Sequence, residues 1–316
     1  MKRLFKNLKK KWHWLGAQPG FQRAPALIIF RLTTWGIRCI IHRGAVVRLE
    51  RWNLSMYLPP RWRGVEKLIF VFREGYESEL AYLERALSPG ETFVDVGANL
   101  GIYTLVAARI MGPSGRVIAF EPSSQSFSLL KANIALNGFT NVQVYPAAVS
   151  DKMGKAFLYD GPDPGQNSLG RDPRLEPKGE EVATQSLDRA LSQASVERVH
   201  VIKMDVEGAE ELVLRGADLV VRAHRPIIIF EINQEASTRL GLSALGAWDL
   251  LNSLGYRFVS IRGSAVHEAK SLPRLGNIVA IYGPLEREVL IDKDSSDLDL
   301  PQENPESCDH VKRLKE

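Results

Sequence analysis

The chain has 316 residues, of which 45% are hydrophobic and 25% charged, and its formal net charge at pH 7 is +4. This length and composition predict one α/β domain with extensions. The charge is uneven: residues 1–49 carry eleven Lys and Arg and no acid, while residues 286–309 carry nine acids against two basic residues. Because the remaining residues sum to zero charge, broad binding to nucleic acid is not expected.

The N-terminal part of the chain, residues 1–74, is predicted to be a basic, helical and aromatic extension that caps the domain. Residues 1–15 contain Trp12 and Trp14 among lysines. They suit either peripheral contact with an anionic membrane or a solvated basic tail. Residues 20–49 predict one or two short helices, and no run is long enough to span a membrane. Two cysteines far apart in the sequence predict no disulfide framework, so we expect a cytoplasmic protein, with the membrane periphery as an alternative.

Strand and helix patterns alternate from residue 92 onward. The strand candidates are Thr92–Val96, Arg116–Phe120, Val142–Tyr145, Val199–Met204, Pro226–Ile232, Arg257–Ile261 and Asn277–Tyr282. The helical patterns between them are Ile102–Met111, Ser124–Asn137, Ala209–Val221 and Ala244–Leu254. This alternation predicts a parallel, doubly wound sheet of seven strands with ligand sites at their carboxyl ends.

Two segments interrupt or follow this pattern. Residues 152–191 contain four prolines and predict an irregular excursion over the ligand site. Residues 286–316 predict an acidic, disordered tail. The core domain is therefore expected over residues 75–285.

A glycine turn follows the first strand of this domain. Asp95 precedes Gly97-Ala98-Asn99-Leu100-Gly101, and Glu121 ends the next strand. The dinucleotide motif G-x-G-x-x-G has closer glycines and holds a pyrophosphate, which an acid beside the turn would repel. The spacing therefore favours S-adenosylmethionine, whose methionine end carries an ammonium group, over NAD. An acid 20 residues after Gly101 is expected to hold ribose hydroxyls.

Two charged clusters follow later strands. Lys203, Asp205 and Glu207 come at the end of the fourth strand, and Glu231 and Asn233 end the fifth. Charged groups at the tip of an apolar strand are costly without a partner. A functional role is therefore favoured over simple stabilisation of acids by a helix dipole.

Five sequence runs resemble, in this order, the FkbM family of S-adenosylmethionine-dependent methyltransferases. They are FVDVGANLGIYT, RVIAFEPSSQSFSLLKANIALNG, AAVSD, VHVIKMDVEGAEELVLRGA and RPIIIFEI. The match covers about residues 75–235. It implies a seven-stranded Rossmann-like methyltransferase sheet and O-methylation of a sugar, glycolipid or small natural product. No Asn-Pro-Pro-Tyr type motif follows the fourth strand, which argues against methylation of nucleic-acid bases.

The resemblance also implies which residues bind the cofactor, S-adenosylmethionine. They are Asp95, Gly97, Ala98, Asn99, Gly101, Tyr103, Thr104, Glu121, Pro122, Ser123, Ala148 and Ser150.

Methyl transfer to a hydroxyl needs alignment and removal of a proton. Asp205 is the first candidate for the base and Glu207 the second, with Lys203 and Glu231 completing the catalytic set. An alternative use of the acids Asp205, Glu207 and Glu231 is a Mg²⁺ or Ca²⁺ site, although we expect no metal.

Acceptor recognition is expected from Asn167 and Ser168 in the excursion and from Asn233. Trp52, Tyr57 and Trp62 either stack on sugar faces or form the core of the N-terminal cap. The alternatives to an O-methyltransferase are an NAD-dependent oxidoreductase and a catalytically degenerate module that binds S-adenosylmethionine at a membrane or glycan assembly. The acceptor and the oligomeric state are left open by the sequence.

Overall fold

The computed structural model describes residues 13–163, 165–262, 265–273 and 275–283. They form two compact units: one contains residues 13–45 together with Leu58–Tyr76, and the other contains Val46–Tyr57 and the described residues between 77 and 283. Most of the segment 1–15 and the whole of the acidic segment 286–316 lie outside the described residues. The domain boundaries at residues 74 and 285 stay predictions.

The first unit is helical. The helices predicted within residues 20–49 form up to residue 40, while residues 45–49 form a strand instead. The helices of this unit are α1 (Pro19–Arg23), α2 (Pro25–Ile40) and α3 (Val65–Phe72). The first two begin with a proline, whose fixed φ suits the first position of a helix. The Trp35 ring of α2 is buried 4.8 Å from the Phe70 ring of α3. No helix in the described residues is long and apolar enough to cross a membrane.

The remaining elements are thirteen strands and eight α-helices in the described residues. They are β1 (Ala45–Leu49), β2 (Leu54–Leu58), α4 (Ser78–Ala86), β3 (Thr92–Val96), α5 (Ile102–Met111), β4 (Arg116–Phe120), α6 (Ser124–Leu136), β5 (Val142–Tyr145), β6 (Ala147–Val149), β7 (Gly154–Tyr159), β8 (Gly179–Gln185), α7 (Leu187–Gln193), β9 (Val201–Met204), α8 (Glu210–Arg215), α9 (Asp218–His224), β10 (Ile227–Asn233), α10 (Gln234–Arg239), α11 (Gly246–Ser253), β11 (Tyr256–Arg262), β12 (Ala265–Glu268) and β13 (Leu275–Tyr282).

The main sheet has eight strands in the order β12-β11-β13-β10-β9-β3-β4-β5. The five strands from β10 to β5 are parallel. Val96, the last residue of β3, pairs with Phe120 at the end of β4 and with Met204 at the end of β9. The carboxyl ends of these strands therefore meet at one edge, on either side of β3, where the direction of winding changes.

The sheet departs from the predicted parallel arrangement at the other edge. There β13 is antiparallel to β10 and β11, and β12, which was not predicted, is antiparallel to β11. The connections between these last strands are too short for a parallel crossover, which needs a dozen residues or more.

Two further expectations need correction. The predicted helix Ala209–Val221 is two helices, α8 and α9, which are separated at Gly216. A Cβ on Gly216 would lie 2.2 Å from the backbone oxygen of Ser150, so the chain passes too close for a larger residue.

The excursion over 152–191 is not irregular throughout, because it contributes β7 and β8 to a second sheet of order β6-β8-β7 and then forms α7. Its prolines fall in the connection between β7 and β8.

Candidate functional site

The glycine turn after β3 is held between the ends of β4 and β9. Gly97 and Gly101 have φ of +78° and +93°, which favour glycine. The amides of Gly97 and Ala98 both donate to the Phe120 carbonyl at 2.9 Å. A Cβ on Gly97 would lie 2.0 Å from the backbone oxygen of Asp205, so no larger side chain fits there without movement.

Glu121 connects this turn to the chain that follows β4. Its buried carboxylate accepts hydrogen bonds from the amides of Asn99, at 2.8 Å, and Ser123, at 2.9 Å. Burial raises the pKa of Glu121 to about 7, although the two hydrogen bonds oppose the shift. Each carboxylate oxygen can accept a second hydrogen bond, so both remain able to bind hydroxyl groups of a ligand.

A cleft opens beside this carboxylate at the carboxyl ends of the parallel strands. Its empty volume is about 630 Å³, including the part open to solvent. Its lining comprises Val96, Gly97, Asn99, Glu121, Pro122, Ser126, Ala147, Ala148, Val149, Leu158, Gly165, Asn167, Leu169, Asp205, Val206 and Ala209. The excursion therefore does border the cleft, through Gly165, Asn167 and Leu169.

The cleft is lined by only some of the site residues that were predicted from the sequence. Its lining includes Gly97, Asn99, Glu121, Pro122 and Ala148 from the predicted cofactor residues, Asn167 from the acceptor residues and Asp205 from the catalytic ones. The predicted residues outside the lining are Asp95, Ala98, Gly101, Tyr103, Thr104, Ser123, Ser150, Ser168, Lys203, Glu207, Glu231 and Asn233. The roles of all these residues stay predictions.

Asp95 lies under the glycine turn and is fully buried. Its Oδ2 accepts a hydrogen bond of 2.6 Å from the Thr104 hydroxyl, and its Oδ1 has no hydrogen-bond partner among the described residues. Burial raises the pKa of Asp95, against the opposing charge of Lys203. A buried carboxylate oxygen without a donor is costly, and Asp95 does not belong to the cleft lining.

Lys203 and Asp205 form an ion pair at the end of β9. The buried Lys203 Nζ lies 3.1 Å from Asp205 Oδ2 and 4.9 Å from the centre of the Tyr103 ring. Burial opposes the charge of this lysine, but the carboxylates of Asp205 and Asp95 outweigh it and raise the pKa of Lys203. The Asp205 carboxylate itself is 41% exposed and belongs to the cleft lining.

Glu207 is held by two of the predicted acceptor residues. It has a φ of +50°, unusual for a residue with a side chain. Its Oε2 accepts a hydrogen bond of 2.9 Å from Asn233 Nδ2, and its backbone oxygen accepts one of 2.8 Å from the Ser168 hydroxyl. Asn233 also caps α10 by accepting from the Ala236 amide at 3.1 Å. In this structure Asn233 and Ser168 thus shape the loop that carries Glu207.

Glu231 lies at the end of β10 and lines a second, smaller cavity with Glu210 and Glu211. Its buried Oε2 finds no hydrogen-bond partner within the described part of the chain. Burial and the negative charges of Glu207 and Asp205 raise the pKa of Glu231 well above its usual range. Burial likewise raises the pKa of Glu210 to about 7. Asp205 lines the cleft and Glu231 does not, so of these two carboxylates only Asp205 can face a ligand bound there.

Sequence reasoning missed part of the cleft wall. Leu158, Leu169, Ser126, Gly165 and Ala209 line it without having been singled out. Small and apolar residues of this kind are equally common in cores, so only the three-dimensional structure reveals them as part of the cleft wall. Trp52, by contrast, is buried with its indole nitrogen 2.6 Å from Glu84 Oε1, which favours its interpretation as core.

The arrangement of acids does not match a metal centre. In the ranges that the structure covers, no three His, Cys, Asp or Glu side chains are grouped so that they could hold a metal ion. Asp205 pairs with Lys203, and Glu207 with Asn233. These acids are arranged for ion pairing and hydrogen bonding.

Comparison with known proteins gives a family match over the same region. A family model described as the methyltransferase FkbM domain matches residues 95–258, more than half of the chain. The 31-O-demethyl-FK506 methyltransferase FkbM of Streptomyces tacrolimicus is 29% identical over 180 residues, which cover 47% of this chain and 68% of that protein. The methyltransferase sdnD of Sordaria araneosa is 27% identical over 179 residues, with the same shares of 47% and 68%.

Other relatives are matched over smaller shares of their length. The AMB antimetabolite synthetase AmbE of Pseudomonas aeruginosa is 27% identical over 237 residues, which cover 63% of this chain but 11% of that protein. The chain spans 60% of methyltransferase 1 of Beauveria bassiana. Among solved structures, methyltransferase FkbM from Methylobacillus flagellatus aligns with a TM-score of 0.40 and 15% identity, over 69% of this chain and 54% of that one.

Proposed function

This chain belongs to the FkbM methyltransferase family, and we propose that it is an S-adenosylmethionine-dependent O-methyltransferase acting on a hydroxyl of a sugar, glycolipid or small natural product. The observation that carries the proposal is the cleft in which the glycine turn, the Glu121 carboxylate and the exposed Asp205 carboxylate meet. It supports this function over a dinucleotide-dependent one because the turn is backed by a buried acid, Asp95, rather than prepared for a pyrophosphate.

The residues of the cleft fit S-adenosylmethionine in three respects. The Glu121 oxygens can accept ribose hydroxyls, because each is engaged by a single amide. Ala148, Leu158 and Leu169 provide an apolar wall suited to a purine ring. Asp95, buried behind the lining in the strand that leads into the glycine turn, adds an acidic group near the cleft that favours the cationic amino-acid end of the cofactor.

The bound cofactor would supply a methyl carbon on a positively charged sulfur, which leaves as a neutral thioether. The chain must then hold the acceptor hydroxyl and remove its proton. We assign removal of this proton to the Asp205 carboxylate, since it is exposed to the cleft and lies 3.1 Å from the Lys203 ammonium group. Glu231 lines the second cavity rather than the cleft, so its predicted part in catalysis is not included in this proposal.

The choice of oxygen as the methylated atom also has support from a relative. The Streptomyces tacrolimicus protein is named for methylation of 31-O-demethyl-FK506, a product that lacks a methyl group on an oxygen. The AmbE relative is an antimetabolite synthetase, which agrees with an acceptor from natural-product chemistry. The identity of the acceptor is part of the proposal and not of the family assignment.

The proposal is tested by transfer of a labelled methyl group from S-adenosylmethionine to a panel of hydroxyl-bearing sugars, glycolipids and natural products. Asp205→Asn should lower kcat by about 100-fold or more, because general-base catalysis contributes roughly 10²–10⁴-fold, while S-adenosylhomocysteine still binds. Asp249→Asn changes an exposed aspartate on α11 and should leave turnover unchanged. Cofactor binding without transfer to any acceptor would favour a catalytically degenerate module, and a label found on nitrogen or carbon would contradict O-methylation.

A further inference from the structure

Helix α2 is apolar on two opposite faces. Its inner face carries Ile28 and Trp35, seven residues apart, which are both buried. The Trp35 indole nitrogen donates to the Arg61 carbonyl at 2.9 Å, and its ring lies against Phe70. This contact accounts for one face of the helix only.

The outer face of α2 is lined with large aliphatic and aromatic side chains that are exposed. The set, called here the outer apolar face, is Leu27, Ile29, Phe30, Ile37, Ile40 and Ile41, and these side chains are between 43% and 78% exposed. At 3.6 residues per turn, residues 27, 30, 37 and 41 form one row, and residues 29 and 40 lie beside it. Isolated exposed apolar residues are ordinary, but a continuous face of this kind marks an interaction site.

One flank of this face and both ends of the helix are positively charged. Arg31 and Arg38 lie two helical turns apart on one side, and their guanidinium groups donate to the carbonyls of Val71, at 2.9 Å, and Gly44, at 2.8 Å. Carbonyl groups are neutral, so these hydrogen bonds leave the arginine charges in place. Arg23 and Arg43, near the two ends of the helix, are exposed. No acidic residue occurs between residues 1 and 49, where eleven Lys and Arg are found.

We propose that the outer apolar face of α2 docks onto the surface of a membrane that contains anionic lipids. A helix that lies in the interface buries its apolar face among the acyl chains and places basic side chains at the headgroups. The 16 residues of α2 give it a length of about 24 Å, enough to lie along the surface. This contact is independent of methyl transfer.

Charge complementarity favours lipid over a second copy of the chain. If two copies packed through this face with two-fold symmetry, their arginine flanks would approach each other, which is unfavourable without acids to pair with them. Anionic headgroups offer the opposite charge along the whole flank. Both the apolar face and the basic residues beside it therefore suit the surface of an anionic membrane.

Flotation of the full-length protein with vesicles tests the proposal. We expect binding to vesicles of 30% phosphatidylglycerol in phosphatidylcholine, little binding to phosphatidylcholine alone, and weaker binding at high salt. The double variant Phe30→Ser/Ile37→Ser should bind the anionic vesicles at least tenfold more weakly, and Arg23→Gln/Arg43→Gln should also bind them more weakly. Leu219→Ser, which alters a leucine of α9 that is 70% exposed, is the matched control and should bind like the wild type.

Three results would overturn the proposal. The wild-type protein could stay unbound with anionic vesicles, which would also be the outcome if another part of the chain covers this face. The Phe30→Ser/Ile37→Ser variant could bind as tightly as the wild type. A wild-type dimer that this variant converts to monomers, without any vesicle binding, would identify a second copy as the occupant. Because both changed side chains are exposed, thermal unfolding of the variant should match the wild type.

Discussion

A single carboxylate, Glu121, links the two turns that border the cleft. Its oxygens accept from the amides of Asn99 and Ser123, which belong to the segments after β3 and β4. It is buried, and its raised pKa of about 7 shows that these two amides compensate its burial only in part. Hydroxyl donors from a ligand would favour the charged form of Glu121 further, so this carboxylate is suited to bind the hydroxyl groups of a ribose.

The change Glu121→Gln tests this role. The amide keeps the size of the side chain but replaces one accepting oxygen by a donor, and it cannot accept both ribose hydroxyls. Loss of hydrogen bonds to a charged group costs about 1.5–3 kcal/mol, so the Kd for S-adenosylhomocysteine should rise roughly 10- to 100-fold. Glu197→Gln, a change at an exposed glutamate, is the control for calorimetric titration. Equal affinities of both variants and the wild type would refute the ribose assignment.

The glycine turn is an element whose conformation depends on contact as well as on φ. Gly97 and Gly112 both have positive φ, of +78° and +67°. A Cβ on Gly97 would lie 2.0 Å from the Asp205 backbone oxygen, while one on Gly112 meets no heavy atom within 4 Å in the described residues. The two positions therefore separate backbone strain from a steric clash.

Alanine at these two glycines should have different effects. Gly112→Ala should lower the free energy of unfolding by about 1–2 kcal/mol through backbone strain alone, without changing affinity for S-adenosylhomocysteine. Gly97→Ala should destabilise more and weaken cofactor binding strongly, because the end of β9 must move away. Chemical denaturation and ligand titration of both variants provide the comparison. Unchanged binding by Gly97→Ala would show that the close approach is not needed for the site.

Individual elements were predictable where the pattern is set by the core. The strands Thr92–Val96, Arg116–Phe120 and Val142–Tyr145 have the predicted bounds. The first two are buried runs that end at glycine or polar residues, which leaves little choice of bounds. The break between α8 and α9 was not predictable, because the helical spacing continues through it. It follows from the close passage of Gly216 over Ser150, which is a contact distant in sequence.

At the scale of the whole molecule, the predicted class of fold, a doubly wound sheet related to the methyltransferases, is confirmed. The antiparallel edge of this sheet and the second, smaller sheet were not predicted. The lining of the cleft was predicted in part. Glu121, Gly97 and Asp205 could be singled out because each is an acid or a glycine that follows an apolar strand in the sequence. Leu158 and Leu169 became part of it only because β7 and the chain after it fold over the carboxyl ends of the main strands. Sequence order alone does not fix such long-range packing.

The buried acids predict how the stability of the molecule depends on pH. Burial is the main cause that raises the pKa values of Glu79, Glu121 and Glu210 to about 7. The folded protein therefore binds more protons than the unfolded chain between about pH 4.5 and 7. The contribution of these groups is greatest at the acidic end of this window, and the free energy of unfolding should decrease as the pH rises through it.

Urea denaturation at pH 5 and at pH 7.5 measures this dependence. Glu210→Gln should show a smaller decrease between the two pH values than the wild type, by roughly 3 kcal/mol at most for one group whose pKa rises from 4.5 to about 7. Glu197→Gln should keep the decrease of the wild type. If stability instead rises with pH, or if Glu210→Gln has no effect on the difference, the buried acids are not protonated in the folded state.

The central claim, that the cleft beside Glu121 binds S-adenosylmethionine, is tested most directly by calorimetric titration of the purified protein. S-adenosylmethionine, S-adenosylhomocysteine and NAD are titrated in turn, with Glu121→Gln alongside the wild type. The account predicts that the first two bind with one site per chain, that NAD does not bind, and that the variant loses affinity. Binding of NAD alone, or binding of S-adenosylhomocysteine that Glu121→Gln leaves unchanged, would contradict it.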